Sequence, residues 1–210
     1  MSANSLSTPS GTSLHNVIVY QEPGRFCGWP ANHGIWAWGD EILVGFERAH
    51  YQVHEQEHSI RRDLPSEMRF ARSLDGGETW QLQDAVPLTM GRPSAITTTR
   101  ESSIPLHDPI QFDHPDFVMK ALGSQFIISY DRGHNWHGPY ALPTFGKELT
   151  ARTDYIVTGP SSCLVFLAAV EPAVQAKLKD RAFCIHTDDG GLTFEQRGYI
   201  AGEPVTVRSV

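Results

Sequence analysis

Apolar residues along this chain come in short runs, each closed off by glycine, proline or small polar residues. That punctuation predicts strands joined by tight turns. Gly34–Trp38 and Glu41–Phe46 flank Gly39-Asp40 as a hairpin, and a polar stretch from Glu47 to Ser66 leads to a further strand at Met68–Arg72. Phe117–Leu122 and Gln125–Ser129 flank Gly123-Ser124 in the same way. Tyr155–Val157 and Ser162–Val170 flank Gly159-Pro160, and Ala182–His186 follows after another polar loop. Val17–Tyr20 and Val205–Val210 read as isolated strands near the two ends. The longest apolar run, Cys163–Val170, suits a buried strand and falls far short of the roughly 20 residues of a membrane-spanning helix.

Three of the turns share one pattern: Ser73-Leu74-Asp75-Gly76-Gly77-Glu78-Thr79-Trp80, Ser129-Tyr130-Asp131-Arg132-Gly133-His134-Asn135-Trp136, and Thr187-Asp188-Asp189-Gly190-Gly191-Leu192-Thr193-Phe194. Each reads hydroxyl, any residue, Asp, any residue, Gly, two further residues, and a large aromatic. They open at residues 73, 129 and 187, intervals of 56 and 58 positions, so the chain repeats one supersecondary unit. Asp75, Asp131 and Asp189 are placed to accept hydrogen bonds from backbone N–H groups two or more residues on. Gly77, Gly133 and Gly191 hold the position where a positive φ is needed. Trp80, Trp136 and Phe194 begin the next strand and bury a ring under the turn. All nine residues are read as folding devices, not as catalysts.

Composition narrows the picture further. A total of 18 Gly and 14 Pro in 210 residues supplies the turns that an all-β fold of short strands requires. A formal charge of −7 without any Lys/Arg run argues against a nucleic-acid partner, and no segment asks for a membrane. Cys27, Cys163 and Cys184 are an odd number at no metal-ligand spacing and read as free thiols. Residues 1–15 are Ser/Thr-rich without an apolar core; they read as a disordered lead-in, not a secretory signal, which leaves a cytoplasmic location as the default. His50, His54 and His58 are spaced by four, as zinc ligands on a helix are, but their segment has no apolar face and lies between strands. It reads as polar recognition surface, with no metal and no cofactor implied.

The triple box resembles the Asp-box, or bacterial neuraminidase repeat, of the sialidase superfamily, from about Arg25 to the C-terminus. The resemblance implies a β-propeller of the sialidase type, whose blades are four-stranded antiparallel sheets with the box joining the third and fourth strands. The boxes would lie on the rim away from the active site. Residues 16–210 would then form one partial propeller: blade one about 25–85, blade two about 92–143, blade three about 150–201, and the start of a fourth at 204–210. Complete propellers have roughly four to eight blades. Three to four blades predict an incomplete propeller with open sheet edges and self-association through them; a closed four-bladed ring is the alternative.

In such a ring the starts of the innermost strands converge on one funnel. Here those starts are Arg25–His33, Asp113–Asp116, Arg152–Asp154 and Arg208. Arg25, Arg152 and Arg208 recur at comparable places and suit a carboxylate ligand, which a guanidinium grips through two parallel bonds; they read equally as ion pairs between blades. Asp154 joins them as a substrate-binding candidate.

The resemblance also implies a reaction class, exo-α-sialidase-type glycoside hydrolysis of sialylated or related acidic glycans. It uses an arginine triad, a Tyr nucleophile assisted by a Glu, and an Asp acid/base. Arg25-Phe26-Cys27-Gly28-Trp29-Pro30 keeps the Arg and a Pro of the family's first arginine motif at altered spacing. Asp63, in the loop after the second strand, takes the acid/base role, and Glu171 is the candidate for the Glu. The family's last Arg and its Tyr lie in later blades, so this chain is expected to hydrolyse poorly or not at all. A non-catalytic propeller that binds a glycan or a protein is the other reading.

Overall fold

The computed structural model describes residues 15–55, 58–83, 103–149, 152–171 and 179–200. Apart from one helical turn its elements are all strands, arranged as three antiparallel sheets, none closed into a barrel. The first sheet holds β1 (Arg25–Gly28), β2 (Ile35–Trp38), β3 (Glu41–His50), β4 (Glu67–Ser73) and β5 (Gln81–Leu82). The second holds β6 (Val118–Leu122), β7 (Gln125–Ser129) and β8 (His137–Ala141). The third holds β9 (Glu148–Leu149), β10 (Tyr155–Gly159), β11 (Ser162–Glu171), β12 (Lys179–Thr187) and β13 (Glu195–Tyr199).

The three predicted hairpins are β2–β3, β6–β7 and β10–β11. Two expectations fail. Glu47–His50, expected as loop, continues β3 because β1 pairs with it, Arg25 opposite His50 and Gly28 opposite Glu47. Val17–Tyr20 forms no strand; Tyr20 instead packs its ring on Phe46 at 5.4 Å. The lead-in up to residue 14 and Val205–Val210 lie outside the described residues.

Between β1 and β2 the chain turns through α1 (Pro30–His33), which presses against β3. Gly45 permits this: its N–H donates to the Gly34 carbonyl at 2.9 Å, and a Cβ there would stand 2.5 Å from the His33 carbonyl oxygen.

Each box is closed by the same bonds. The Ser73, Ser129 and Thr187 hydroxyls donate to the box aspartate and accept from the Gly77, Gly133 and Gly191 N–H at 2.8–2.9 Å. The aspartates then accept from the backbone N–H of Thr79, Asn135 and Thr193 at 2.8–2.9 Å, and from those residues' side chains as well. Trp80 Nε1 donates to the Gly77 carbonyl, and Trp136 stacks on Phe70 of the first sheet at 5.3 Å. The seventh position, open to any residue in the sequence pattern, carries a donor side chain in all three boxes.

Apolar packing joins the second and third sheets. Met119, Phe126 and Ile128 meet Val165, Leu167, Phe183 and Ile185 in one buried cluster that also takes in Ile110 and Phe112.

The boxes gather at one end of the sheets, where box two ion-pairs with Glu41 and the segment beneath box three bonds through Ile110 N to the Gly190 carbonyl. Among the described strands, β2, β3 and β4 lead in order to the first box and β10, β11 and β12 to the third, with β1 and β9 paired beside β3 and β11, whereas β6 and β7 lead to the second. That difference reverses direction: β2 and β10 run toward the boxes, while β6 runs away from them. Asp113–Asp116, expected at the funnel, therefore lie at the box end, where the Arg132 N–H donates to the Asp116 carbonyl at 3.0 Å.

Candidate functional site

β2 and β10 meet in front of β6, from Gly34 and Thr153 along to Val157. Trp36 Nε1 and the Met119 N–H both donate to the Tyr155 hydroxyl oxygen at 3.1 Å, so one phenol links β2, β6 and β10, a strand from each of the three sheets. Thr153 Oγ1 donates to the Ala121 carbonyl at 3.2 Å and holds the approach to β10 against β6. Between β2 and β10 opens a cleft of about 320 Å³, lined by Gly34, Ile35, Trp36, Thr153, Asp154, Tyr155 and Val157. Burial pushes the Tyr155 phenol up in pKa, and the two donated bonds only partly offset it. Aromatic walls with a few polar groups are the usual composition of a small-molecule site.

Beside the cleft lies a charged cluster. Lys120 on β6 is fully buried, with Nζ 3.0 Å from His33 Nδ1 and 3.3 Å from the His33 carbonyl oxygen. His33 Nε2 faces Glu47 Oε2 at 3.8 Å. Burial lowers the Lys120 ammonium to about 7, against the pull of Glu47. Burial likewise lowers His33; Glu47 opposes that, and the charges of Lys120 and Arg152 add to it. A neutral His33 accepting at Nδ1 from Lys120 and presenting Nε2–H to Glu47 satisfies all three groups.

The structure brings some of the predicted site residues together and separates others. Asp154 lines the cleft, whereas Arg152 precedes the lining residue Thr153 and is close enough to act on His33. Arg25 opens β1, paired across from His50, with its guanidinium 3.6 Å from Glu22. Glu22 is itself clamped by Arg48 through two bonds of 2.7 Å, which with the Tyr20 hydroxyl hold it down to about 2. Asp63 is exposed and gripped by Arg61 at 3.0–3.2 Å. Those bonds hold its carboxyl below the ordinary range, and Asp63 is not among the residues that line the cleft. Glu171 ends β11, and its side chain, like Arg208, lies outside the described residues. His58 packs edge-on against Trp29 at 5.0 Å, and His54 is exposed.

A second polar group, at the box end of the third sheet, joins Ser162, His186 and Asp188. Arg197 Nη2 donates to His186 Nδ1 at 2.8 Å, so Nε2 carries the ring proton toward Ser162 Oγ at 3.0 Å and Asp188 Oδ1 at 3.3 Å. A ring that donates to the hydroxyl cannot remove its proton, and this trio is not a nucleophile–base relay. Cys163 is buried and its thiol is pushed up to about 12, an inert packing group.

Fold comparison finds a solved relative in shape. A crystal structure of a protein of unknown function from Dyadobacter fermentans DSM 18053 superposes with a TM-score of 0.56 at 18% identity, covering 89% of this chain and 58% of that one. The likeness is one of fold alone. This chain spans rather more than half that neighbour's length. No protein-family model matches the chain, and no curated protein matches its sequence.

Proposed function

We propose that the three sheets are blades of a sialidase-type Asp-box β-propeller, and that the cleft between β2 and β10 binds an acidic glycan. The observation that carries this reading is the convergence of Trp36, Asp154 and Tyr155 on one cleft between strands of different sheets. Arg152, immediately before the lining residues, supplies the positive charge for a sugar carboxylate. Binding is favoured over hydrolysis because Asp63, the acid/base candidate, is an exposed carboxylate gripped by Arg61 and is not among the residues that line the cleft.

Calorimetric titration with the methyl α-glycoside of N-acetylneuraminic acid tests the proposal, beside turnover of a fluorogenic sialoside. Saturable binding that weakens about tenfold or more in Arg152→Ala, without aglycone release, is the expected result. Absence of saturable binding by the wild-type chain would overturn it. Rapid release of the fluorophore would replace the binding reading with a hydrolytic one.

A further inference from the structure

The Tyr155 hydroxyl has a donor to spare. An indole N–H and a backbone N–H can only donate, so Trp36 and Met119 both use the phenol oxygen as acceptor. The hydroxyl hydrogen is left over, and among the described residues no acceptor receives it. A donor that is mostly buried and unmatched is unfavourable, and ligands commonly complete such groups. The sides toward β2 and β6 are occupied by the two N–H donors; the cleft is what Tyr155 has left to face.

Asp154 is the complementary case. Its backbone is committed, the N–H donating to the Arg152 carbonyl and the carbonyl accepting from Phe166 N at 3.0 Å each. Asp154 is exposed and lines the cleft, and among the described residues its carboxylate has no hydrogen-bond or ion-pair partner. An ionised carboxylate can only accept. Trp36, hydrogen-bonded to Tyr155, adds an apolar wall between them.

We infer that Tyr155 and Asp154 form a donor–acceptor pair that reads one polar edge of a sugar ring, Tyr155 O–H donating to a ring or hydroxyl oxygen while Asp154 accepts from a neighbouring hydroxyl. The inference rests on the cleft being the glycan site proposed above. It adds a selectivity that the arginine alone cannot provide: the carboxylate anchors the ligand, and the pair chooses among sugars by the order of donor and acceptor along the ring. A ligand lacking that hydroxyl leaves Asp154 unmatched, which is how polar sites reject close analogues.

The test uses the full chain, wild type and the variants Tyr155→Phe, Asp154→Ala and Arg152→Ala, titrated with the same sialoside and its single-deoxy analogues. Tyr155→Phe and Asp154→Ala should each weaken the parent sialoside by about tenfold or more. One deoxy analogue should bind wild type weakly yet bind Asp154→Ala as well as the parent does, a loss of discrimination that a merely structural role would not produce. Tyr155→Phe also removes the acceptor of Trp36 and Met119, so its melting temperature is measured alongside. If it unfolds, Asp154→Ala with the deoxy series decides alone. Unchanged affinity and unchanged hydroxyl preference in Asp154→Ala, with Arg152→Ala still impaired, would overturn the pair and leave the glycan site standing. Failure of wild type to bind any analogue would remove both.

Discussion

Removing Glu41 should destabilise this fold, because it ties together arginines from two sheets. It opens β3 at the box end and lies between two guanidinium groups: Arg72 Nη1 bonds Oε1, and Arg132 Nη1 bonds Oε2 at 2.7 Å. Arg72 is only 5% exposed and otherwise holds the Arg132 carbonyl at 2.9 Å and a long contact to Gln83 at 3.4 Å. Opposite charges about 4 Å apart interact by about 4 kcal/mol at an effective dielectric near 20. Breaking a buried pair by removing one member costs about 3–5 kcal/mol, because the other charge stays behind uncompensated. The carbonyl that Arg72 keeps places Glu41→Gln at the lower end, about 3 kcal/mol. Arg72→Met should cost less, since Glu41 retains Arg132, and the double variant should be little worse than Arg72→Met alone. The expected coupling is about 2 kcal/mol.

Urea unfolding of the four proteins measures this. With slopes of about 1–3 kcal/mol per molar, Glu41→Gln should lower the midpoint by roughly 1–3 M. Losses that simply add would refute the reasoning, as would a Glu41→Gln midpoint equal to the wild type's. Acid should show the same bond. Burial alone would raise the Glu41 carboxyl, but the bonds to Arg132 and Arg72 outweigh it and hold the folded-state value down. A depressed folded value means stability that is present above the ordinary carboxylate range and lost as pH falls, and Glu41→Gln should remove that share of acid sensitivity.

Two further predictions concern the same interface. Arg132 holds a positive φ of 58°, where the other boxes have Gly76 and Gly190, so Arg132→Gly should unfold at higher urea than Arg132→Ala although both lose the ion pairs; the reverse ranking would refute backbone strain at this position. Lys120 titrates near 7 when folded, far below an ordinary lysine, so the unfolded chain binds the proton first and stability should rise with pH from about 7 to about 10. Lys120→Met, facing the same His33, Glu47 and Arg152, should flatten that rise and exceed wild-type stability near pH 7; parallel urea midpoints across the range would refute it.

The strands and turns were readable because their signals are local. Gly39-Asp40, Gly123-Ser124 and Gly159-Pro160 interrupt apolar runs, and each interruption is a hairpin turn in the structure. The cleft was only partly readable. Arg152 and Asp154 could be placed at the start of β10, but the meeting of Trp36 with Tyr155 spans 119 positions and depends on how the second sheet is wound. Its clue is the number of apolar runs before each box, a hairpin and a further strand in the first and third units but a hairpin alone in the second. Counting them would have sent Asp113–Asp116 to the box end. Lys120 had no such clue. In a strand of apolar neighbours it reads as a solvent-facing lysine, and it is buried only because α1 delivers His33 from 87 positions earlier.

The fourth position of the boxes shows how a turn pattern can conceal a working residue. It was left open to any side chain, yet the backbone takes φ values of 74°, 58° and 71° there in turn. Two boxes meet that demand with glycine and one with arginine, which resists this conformation. The exception falls where the first and second sheets join, and its side chain bonds Glu41 on one side and Asp116 on the other while its guanidinium lies over Trp38. Backbone strain in a turn that could have used glycine is offset by contacts that glycine could not make. Box two therefore does more than close a hairpin: it fastens the first sheet to the second, and with them the end of β2 opposite the cleft.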